Sequence, residues 1–340
     1  MTPSALSSRV PVDGPPRIPS SNGVSWRPAT SADIDSITAL FVEAGRIDHP
    51  SYSTSREDVA DEFDRSSVVL DKDSIVGIDG AGETVAFGMA ISSDARDTLV
   101  RSYLFGTVSP SFRDRGIGRQ LAAWLDGRAL EQLASAEEPL PGWIMVYLES
   151  RESAAMGIFE RLGYAPARYF FEMRRDLPEP IAEVAAPDDI TVRLATSEEW
   201  AAIRIARNDS FRDHWGSQPT TVEDWTTFGS KTTLRLDLSF VAVADDGTIG
   251  GFVVTEVREG DWVGQGFTSA YIDLVGTTRA FRGRGIAPAL LARALRACAE
   301  AGLDKAVLDV DAENPTGALA LYERAGFRQA ERTVALTRVF

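Results

Sequence analysis

The chain has 340 residues, with 35 Lys plus Arg against 50 Asp plus Glu and a formal net charge of −15. An acidic balance of this size argues against nucleic acid as a partner, because phosphate recognition needs a basic footprint. The single cysteine, Cys298, excludes an internal disulfide and a thiolate zinc site, and the two histidines, His49 and His214, do not make a metal centre, so no metal is expected.

Residues 1–23 are Ser/Pro-rich (Pro11, Pro15, Pro16, Pro19) and lack the apolar core of a signal peptide, which predicts a flexible tail. No apolar run reaches the ~20 residues that span a bilayer. No membrane partner is expected, and a cytoplasmic location follows by elimination. The first folded segment, residues 24–176, carries a hairpin pattern at Ile75–Ile78 and Thr84–Ile91 and a late strand at Trp143–Leu148. Prolines and acids mark residues 177–189 as a linker, from Leu177-Pro178-Glu179-Pro180 to Pro187-Asp188-Asp189.

The second segment, residues 190–340, reads in more detail. Ile190–Leu194 is a strand, and Ser197 is placed to cap a helix running through Ala201 and Ile205. Phe240–Ala244 and Ile249–Thr255 form a hairpin around Asp245-Asp246-Gly247-Thr248. A strand at Ala270–Val275 precedes a helix at Ile286–Glu300, whose apolar face holds Ile286, Leu290, Ala294 and Cys298. Ala306–Val310 is a strand and Pro315–Ala325 a short helix.

The two segments repeat one another. Arg27-Pro28-Ala29-Thr30-Ser31 returns as Arg193-Leu194-Ala195-Thr196-Ser197, Arg113-Asp114-Arg115-Gly116-Ile117-Gly118 as Arg282-Gly283-Arg284-Gly285-Ile286-Ala287, and Phe159-Glu160-Arg161-Leu162-Gly163-Tyr164 as Tyr322-Glu323-Arg324-Ala325-Gly326-Phe327. Three matches in one order, at nearly constant spacing, indicate a duplicated domain of mixed α+β layers.

Arg282–Ala287 lies between a strand and a helix. Glycines there let successive N–H groups converge, and the helix adds its unpaired donors and positive dipole end. This is an anion site suited to a pyrophosphate, with Arg282 and Arg284 adding charge at its rim. Neither the dinucleotide fingerprint nor the nucleoside-triphosphate loop is matched.

Arg-x-x-Gly-x-Gly/Ala in this position resembles the acyl-CoA loop of the GNAT acetyltransferase superfamily. Asn314 followed by Tyr322 and Gly326-Phe327 resembles the ending of the same family. The resemblance covers residues 24–340 as two GNAT units and is similar to the layout of double-GNAT proteins. It implies acetyl-CoA as donor, bound by Val275, Gly276, Thr277, Arg282, Gly283, Arg284, Gly285, Ile286, Ala287 and Asn314. In the first copy it implies Val108, Arg113, Arg115, Gly116 and Gly118.

It also implies Tyr322 as the group that receives the departing thiolate, and a backbone N–H in Val275–Thr277 as donor to the carbonyl oxygen. Asp273, then Glu256, are the candidate bases for the amine. The first copy has Phe159 for Tyr322, Arg151 for Asn314 and Leu104 near the place of Asp273, so chemistry is expected in the second copy. The expected activity is N-acetylation of a small-molecule primary amine by a monomer or homodimer. The alternatives are a protein or peptide N-acetyltransferase and an acyl-CoA-binding module without turnover.

Overall fold

The computed structural model describes the chain except residues 1–3, 13, 21, 22, 94 and 315. Two compact units emerge: Met1–Arg168 joined by Thr333–Phe340, and Tyr169–Arg332.

The first unit runs β1 (Ser25–Arg27), α1 (Ile34–Asp48), α2 (Arg56–Phe63), α3 (Leu70–Asp73), β2 (Ser74–Ile78), β3 (Thr84–Ser92), β4 (Val100–Val108), α4 (Ile117–Ala134), β5 (Gly142–Glu149) and α5 (Ser153–Arg161). Its strands lie in that order, antiparallel except for a parallel β4–β5 pair. β6 (Ala165–Asp176) leads into the second unit.

There follow β7 (Ile190–Leu194), α6 (Trp200–Ser210), α7 (Val222–Ser230), β8 (Phe240–Ala244), β9 (Ile249–Glu256), α8 (Glu259–Gln265), β10 (Ser269–Thr277), α9 (Ile286–Glu300), β11 (Lys305–Asp311), α10 (Ala318–Arg324) and β12 (Arg328–Val339). The second sheet has the order β6-β11-β10-β9-β8-β7. The mixed α+β character expected from the repeats is what the chain adopts.

The last strand of each repeat serves the other sheet. Phe170–Asp176 of β6 pairs antiparallel with β11, from Phe170↔Asp311 to Asp176↔Lys305. Thr333–Val339 of β12 pairs with β5, from Thr333↔Glu149 to Val339↔Trp143. The compact units therefore cut the chain differently from the sequence repeats 24–176 and 190–340. A strand's apolar alternation reads the same whichever sheet accepts it.

Two local expectations are corrected. The tail over residues 1–23 is anchored at Leu6, which is fully buried, donates to Glu138 and fills the space over Gly142, where a Cβ would stand 2.7 Å from its Cδ1. Val10 is buried as well, Ser7 donates to the Ala136 carbonyl and Arg9 to that of Leu140, so a few contacts spread along the chain dock a Ser/Pro-rich segment. At the entry to α6 the cap is Thr196 rather than Ser197, in a reciprocal box with Glu199, as Thr30 does with Asp33. Ile203 and Ala206 face the core there, while Ile205 is exposed.

The segment 177–189 packs on the second unit. Leu177 is buried, Arg175 donates to the carbonyls of Glu179 and Pro180, and Arg296 to that of Ala182. The predicted helix start at Pro315 lies outside the described residues; Gly317, at φ 74°, precedes α10. The core of the second unit packs α9 against the sheet through Leu290, Leu291, Ala294, Leu295 and Cys298. Cys298 is fully buried there, and burial pushes its thiol up to about 12, which makes it core filler.

Candidate active site

In the second unit β10 pairs with the parallel β11 only over Ser269–Tyr271, opposite Lys305–Val307. Beyond that point the strands part, and the segment from Ile272 to Thr277 leads to the glycine loop along an edge without β11 partners. The first unit has the same wedge, with β4 and β5 paired over Val100–Tyr103.

The loop after β10 has the predicted form. Gly283 and Gly285 have φ of 75° and 80°, a region glycine enters without a Cβ penalty, and a Cβ on either would meet nothing within 4 Å. Among the described residues the N–H groups of Gly283, Arg284 and Gly285 have no hydrogen-bond acceptor, and α9 starts at Ile286 without a side-chain cap. Converging free donors before an uncapped helix fit the pyrophosphate of an acyl-CoA.

The arginines of the loop are spent on carboxylates, which changes the role expected of them. Arg282 donates to Asp213 at 2.8 Å and to the Ser210 carbonyl at 2.9 Å. Arg284 donates to Asp189 at 2.7 Å. Arg282 and then Arg279 hold the Asp213 carboxyl below its ordinary range. These cations brace the loop, and the backbone donors are left to meet an anion.

The first unit's loop keeps the plan with one conflict. Arg113 is paired with Asp48, its Nε donates to the Val108 carbonyl at 3.2 Å, and Gly116 has φ 80°. Arg115 donates to the Ser111 carbonyl and lies over the Phe112 ring. Gly118 is the second residue of α4, and a Cβ there would make ordinary contacts of 3.9 Å with Val108 and Ile158. Asp114, however, stands at φ 60° in the place of Gly283, a strained conformation that also sets a carboxylate in an anion loop.

Asp48-His49 and Asp213-His214 are a further piece of the repeat, 165 residues apart, legible in the sequence but missed because the flanking residues differ. His214 packs on the Phe211 ring at 4.4 Å, and burial with Arg207 lowers its pKa. His49 lies 3.5 Å from Glu149 and 3.8 Å from Glu152.

Tyr322 is buried in α10, edge-on to Phe327 at 5.9 Å. Its hydroxyl has no hydrogen-bond partner among the described residues, and burial raises its pKa. Phe159 takes the same packing against Tyr164 at 5.3 Å. Asn314 turns its amide oxygen to Thr316, accepting from N at 2.9 Å and from Oγ1 at 2.6 Å, so that oxygen shapes the turn into α10. The Thr277 hydroxyl is buried without a partner among the described residues, beside Gly276, where a Cβ would lie 2.3 Å from the Phe252 ring.

Asp273 occupies a β-bulge: the β10–β9 register passes from Ile272↔Thr255 to Leu274↔Val254 and leaves it unpaired. Burial pushes its pKa up to about 6, against the opposing charge of Arg258. Glu256, 1% exposed, goes the other way. Burial would raise it, but Arg258 at 3.0 and 3.2 Å and Thr233 at 2.8 Å bring its pKa below the ordinary value. Of the two acids predicted as bases, Asp273 is the one whose protonated form is favoured by burial, while Arg258 and Thr233 favour the ionised form of Glu256.

The Acetyltransferase (GNAT) family pattern matches residues 200–327. A mycothiol acetyltransferase of Salinispora tropica is 31% identical over 65% of this chain and 67% of its own length, and one of a Nocardioides species is 31% identical over 66% and 76%. The chain belongs to the GNAT acetyltransferase family. Within it, a mycothiol acetyltransferase of Rhodococcus erythropolis is 28% identical over 92% of this chain and 97% of its own.

A GCN5-related N-acetyltransferase from Sphaerobacter thermophilus has a TM-score of 0.71 at 26% identity, covering 94% of this chain and 96% of that one. A tandem GNAT protein from the clavulanic acid biosynthesis pathway shares the fold, with a TM-score of 0.67 at 15% identity over 93% of this chain and 98% of its own. The protein is an acetyl-CoA-dependent acyltransferase with tandem GNAT repeats. Among the described residues no helix is long and apolar enough to cross a membrane.

Proposed function

We propose that this protein moves an acetyl group from acetyl-CoA to the primary amine of a small molecule, and that the second unit does the chemistry. The observation that carries the reading is the difference between the repeats. Among the described residues both loops leave backbone donors free, but the second has Gly283 in the loop, a buried tyrosine whose hydroxyl has no partner and an acid in a bulge. The first has Asp114, Phe159 and Leu104 at or near those places.

Acetyl-CoA supplies the thioester carbonyl that the amine attacks. Gly283, Arg284, Gly285, Ile286 and Ala287 would hold its pyrophosphate through main-chain N–H groups, with Val275–Thr277 beside its acyl arm. An alkylamine of pKa ~10.4 is almost wholly protonated at pH 7 and must lose a proton before it attacks. Asp273 would accept that proton, directly or through water. Tyr322 keeps its own proton, because burial raises its pKa, and would donate a hydrogen bond to the leaving sulfur.

The relatives named mycothiol acetyltransferase put mycothiol-related amines first among acceptors. The test is thiol release from acetyl-CoA with purified protein and a panel of such amines, amino sugars, aminoglycosides and peptides. Turnover with a small amine is expected. Turnover confined to peptides would replace the acceptor class, and activity that survives a damaged second loop would move the chemistry to the first unit.

A further inference from the structure

Arg258 lies just beyond β9 and is fixed on two sides. Glu256 grips its guanidinium at 3.0 and 3.2 Å, and the Tyr271 ring lies under it at 4.0 Å. Both anchors are themselves tied: Thr233 donates to Glu256 at 2.8 Å, and the Tyr271 hydroxyl donates to Asp309 at 2.8 Å. Its Nη2 then reaches Asp273 Oδ1 at 3.4 Å.

Among the described residues Oδ2 of Asp273 has no donor, so one carboxylate oxygen is steered and the other is open. The bulge makes this steering necessary. An unpaired strand residue lacks the ladder bonds that would fix its direction. In the first unit the β3–β4 register runs unbroken from Ala86↔Val108 to Ser92↔Ser102, and Leu104 on that stretch has no charge to aim.

We propose that Arg258 is a positioning residue for acetyl transfer: braced by Glu256 and Tyr271, it aims the Asp273 carboxylate and sets its affinity for a proton. This rests on Asp273 being the proton acceptor. The charged groups around Asp273 are Arg258 and Glu256 after and on β9, Lys231 beyond α7 and Arg207 on α6; the titratable but neutral Tyr271 lies on its own strand, and Asp309 on β11 acts through it. Arg258 favours the ionised form and Glu256 opposes it, so their removal has opposite signs.

The test is the pH profile of kcat/KM for the amine in full-length Arg258→Gln, Glu256→Gln and Asp273→Asn proteins. A base must be ionised to work, so its pKa sets the acid limb. Arg258→Gln is expected to move that limb to higher pH by about one unit or more, the scale of a carboxylate losing an adjacent arginine. Glu256→Gln, which keeps the shape and the Thr233 bond, is expected to move it to lower pH. The KM for acetyl-CoA stays within about twofold in both.

Lower kcat with an unmoved limb in both variants, or in Glu256→Gln alone if Arg258→Gln does not fold, overturns the proposal. Asp273→Asn separates the two levels. If it abolishes turnover while the other variants leave the limb in place, Asp273 remains the base and only the role of Arg258 fails. If it leaves turnover and limb intact, both readings fall.

Discussion

Arg282 of the glycine loop and Asp213, just beyond α6, are paired at 2.8 Å, and the first repeat builds the same contact between Arg113 and Asp48 at 2.6 Å. In both units the arginine that opens the loop is held by an aspartate at the C-terminal end of the first long helix or just past it. The conserved geometry of the pair across the repeat assigns it to loop shape.

Asp213→Asn is therefore expected to act on donor binding. The ion pair is partly exposed, so its loss moves the melting temperature by no more than a degree or two. The loop it braces loosens, and KM for acetyl-CoA rises several-fold with kcat little changed. Steady-state kinetics beside thermal unfolding checks both statements.

Tyr322→Phe gives the second unit the residue that the first already carries. The ring keeps its contact with Phe327, and the hydroxyl that is lost has no partner to leave behind, so stability is expected to hold or rise slightly. Turnover should fall by roughly 10²-fold if the hydroxyl assists the leaving group. Turnover like that of the parent in a folded variant would make Tyr322 a packing residue.

Asp273 carries a prediction about stability as well as rate. Its folded pKa, about 6, lies above the ordinary carboxylate value, so the folded state binds the proton more tightly than the unfolded one. This contribution is complete at low pH and is lost as pH rises through about 6. Asp273→Asn is thus expected to unfold at a higher denaturant concentration than the parent at pH 7.5, with the gap closing toward pH 4. Chemical denaturation at the two pH values measures it.

With two histidines in the chain, each can be followed by proton–carbon NMR. For His49 burial lowers the pKa, but Glu149, Glu152 and Asp48 outweigh it and the net shift is upward. His214 moves down. His49 is expected to titrate above ~6.5 and His214 below it. The reverse order would mean that Glu149 and Glu152 are not beside His49 in solution.

Much of this was legible in the residues. The loop glycines, the hairpin at Asp245–Thr248 and the apolar face of α9 follow from local rules, because turn chemistry and helical spacing act over a few residues. The site was only half legible. Asp273 was visible as an acid near a loop, but its bulge and its arginine depend on pairing with β9. Arg258 was not singled out, because nothing in the local sequence tells which side chain lies over Tyr271. Arg282 and Arg284 read as rim charges because their partners, Asp213 and Asp189, are 69 and 95 residues away.

The exchanged strands make a prediction about fragments. A piece cut at the linker, residues 190–340, lacks Phe170–Asp176, which covers the β11 edge, whereas residues 169–332 contain the whole compact unit. The second fragment is expected to be monodisperse with a cooperative melt and the first to aggregate through an open edge. Size-exclusion chromatography with light scattering decides it, and equal behaviour would mean that β6 is dispensable.

Most multidomain chains fold vectorially, with the N-terminal part maturing on the ribosome while the rest is being made. That order is barred here at one place. The β5 edge of the first unit is completed by Thr333–Val339, so translation must deliver residues that lie more than 180 positions downstream before this sheet is finished. Until then the nascent first repeat presents an open β5 edge, and a chaperone that shields strand edges during synthesis would raise the yield of native protein more than one that acts after release.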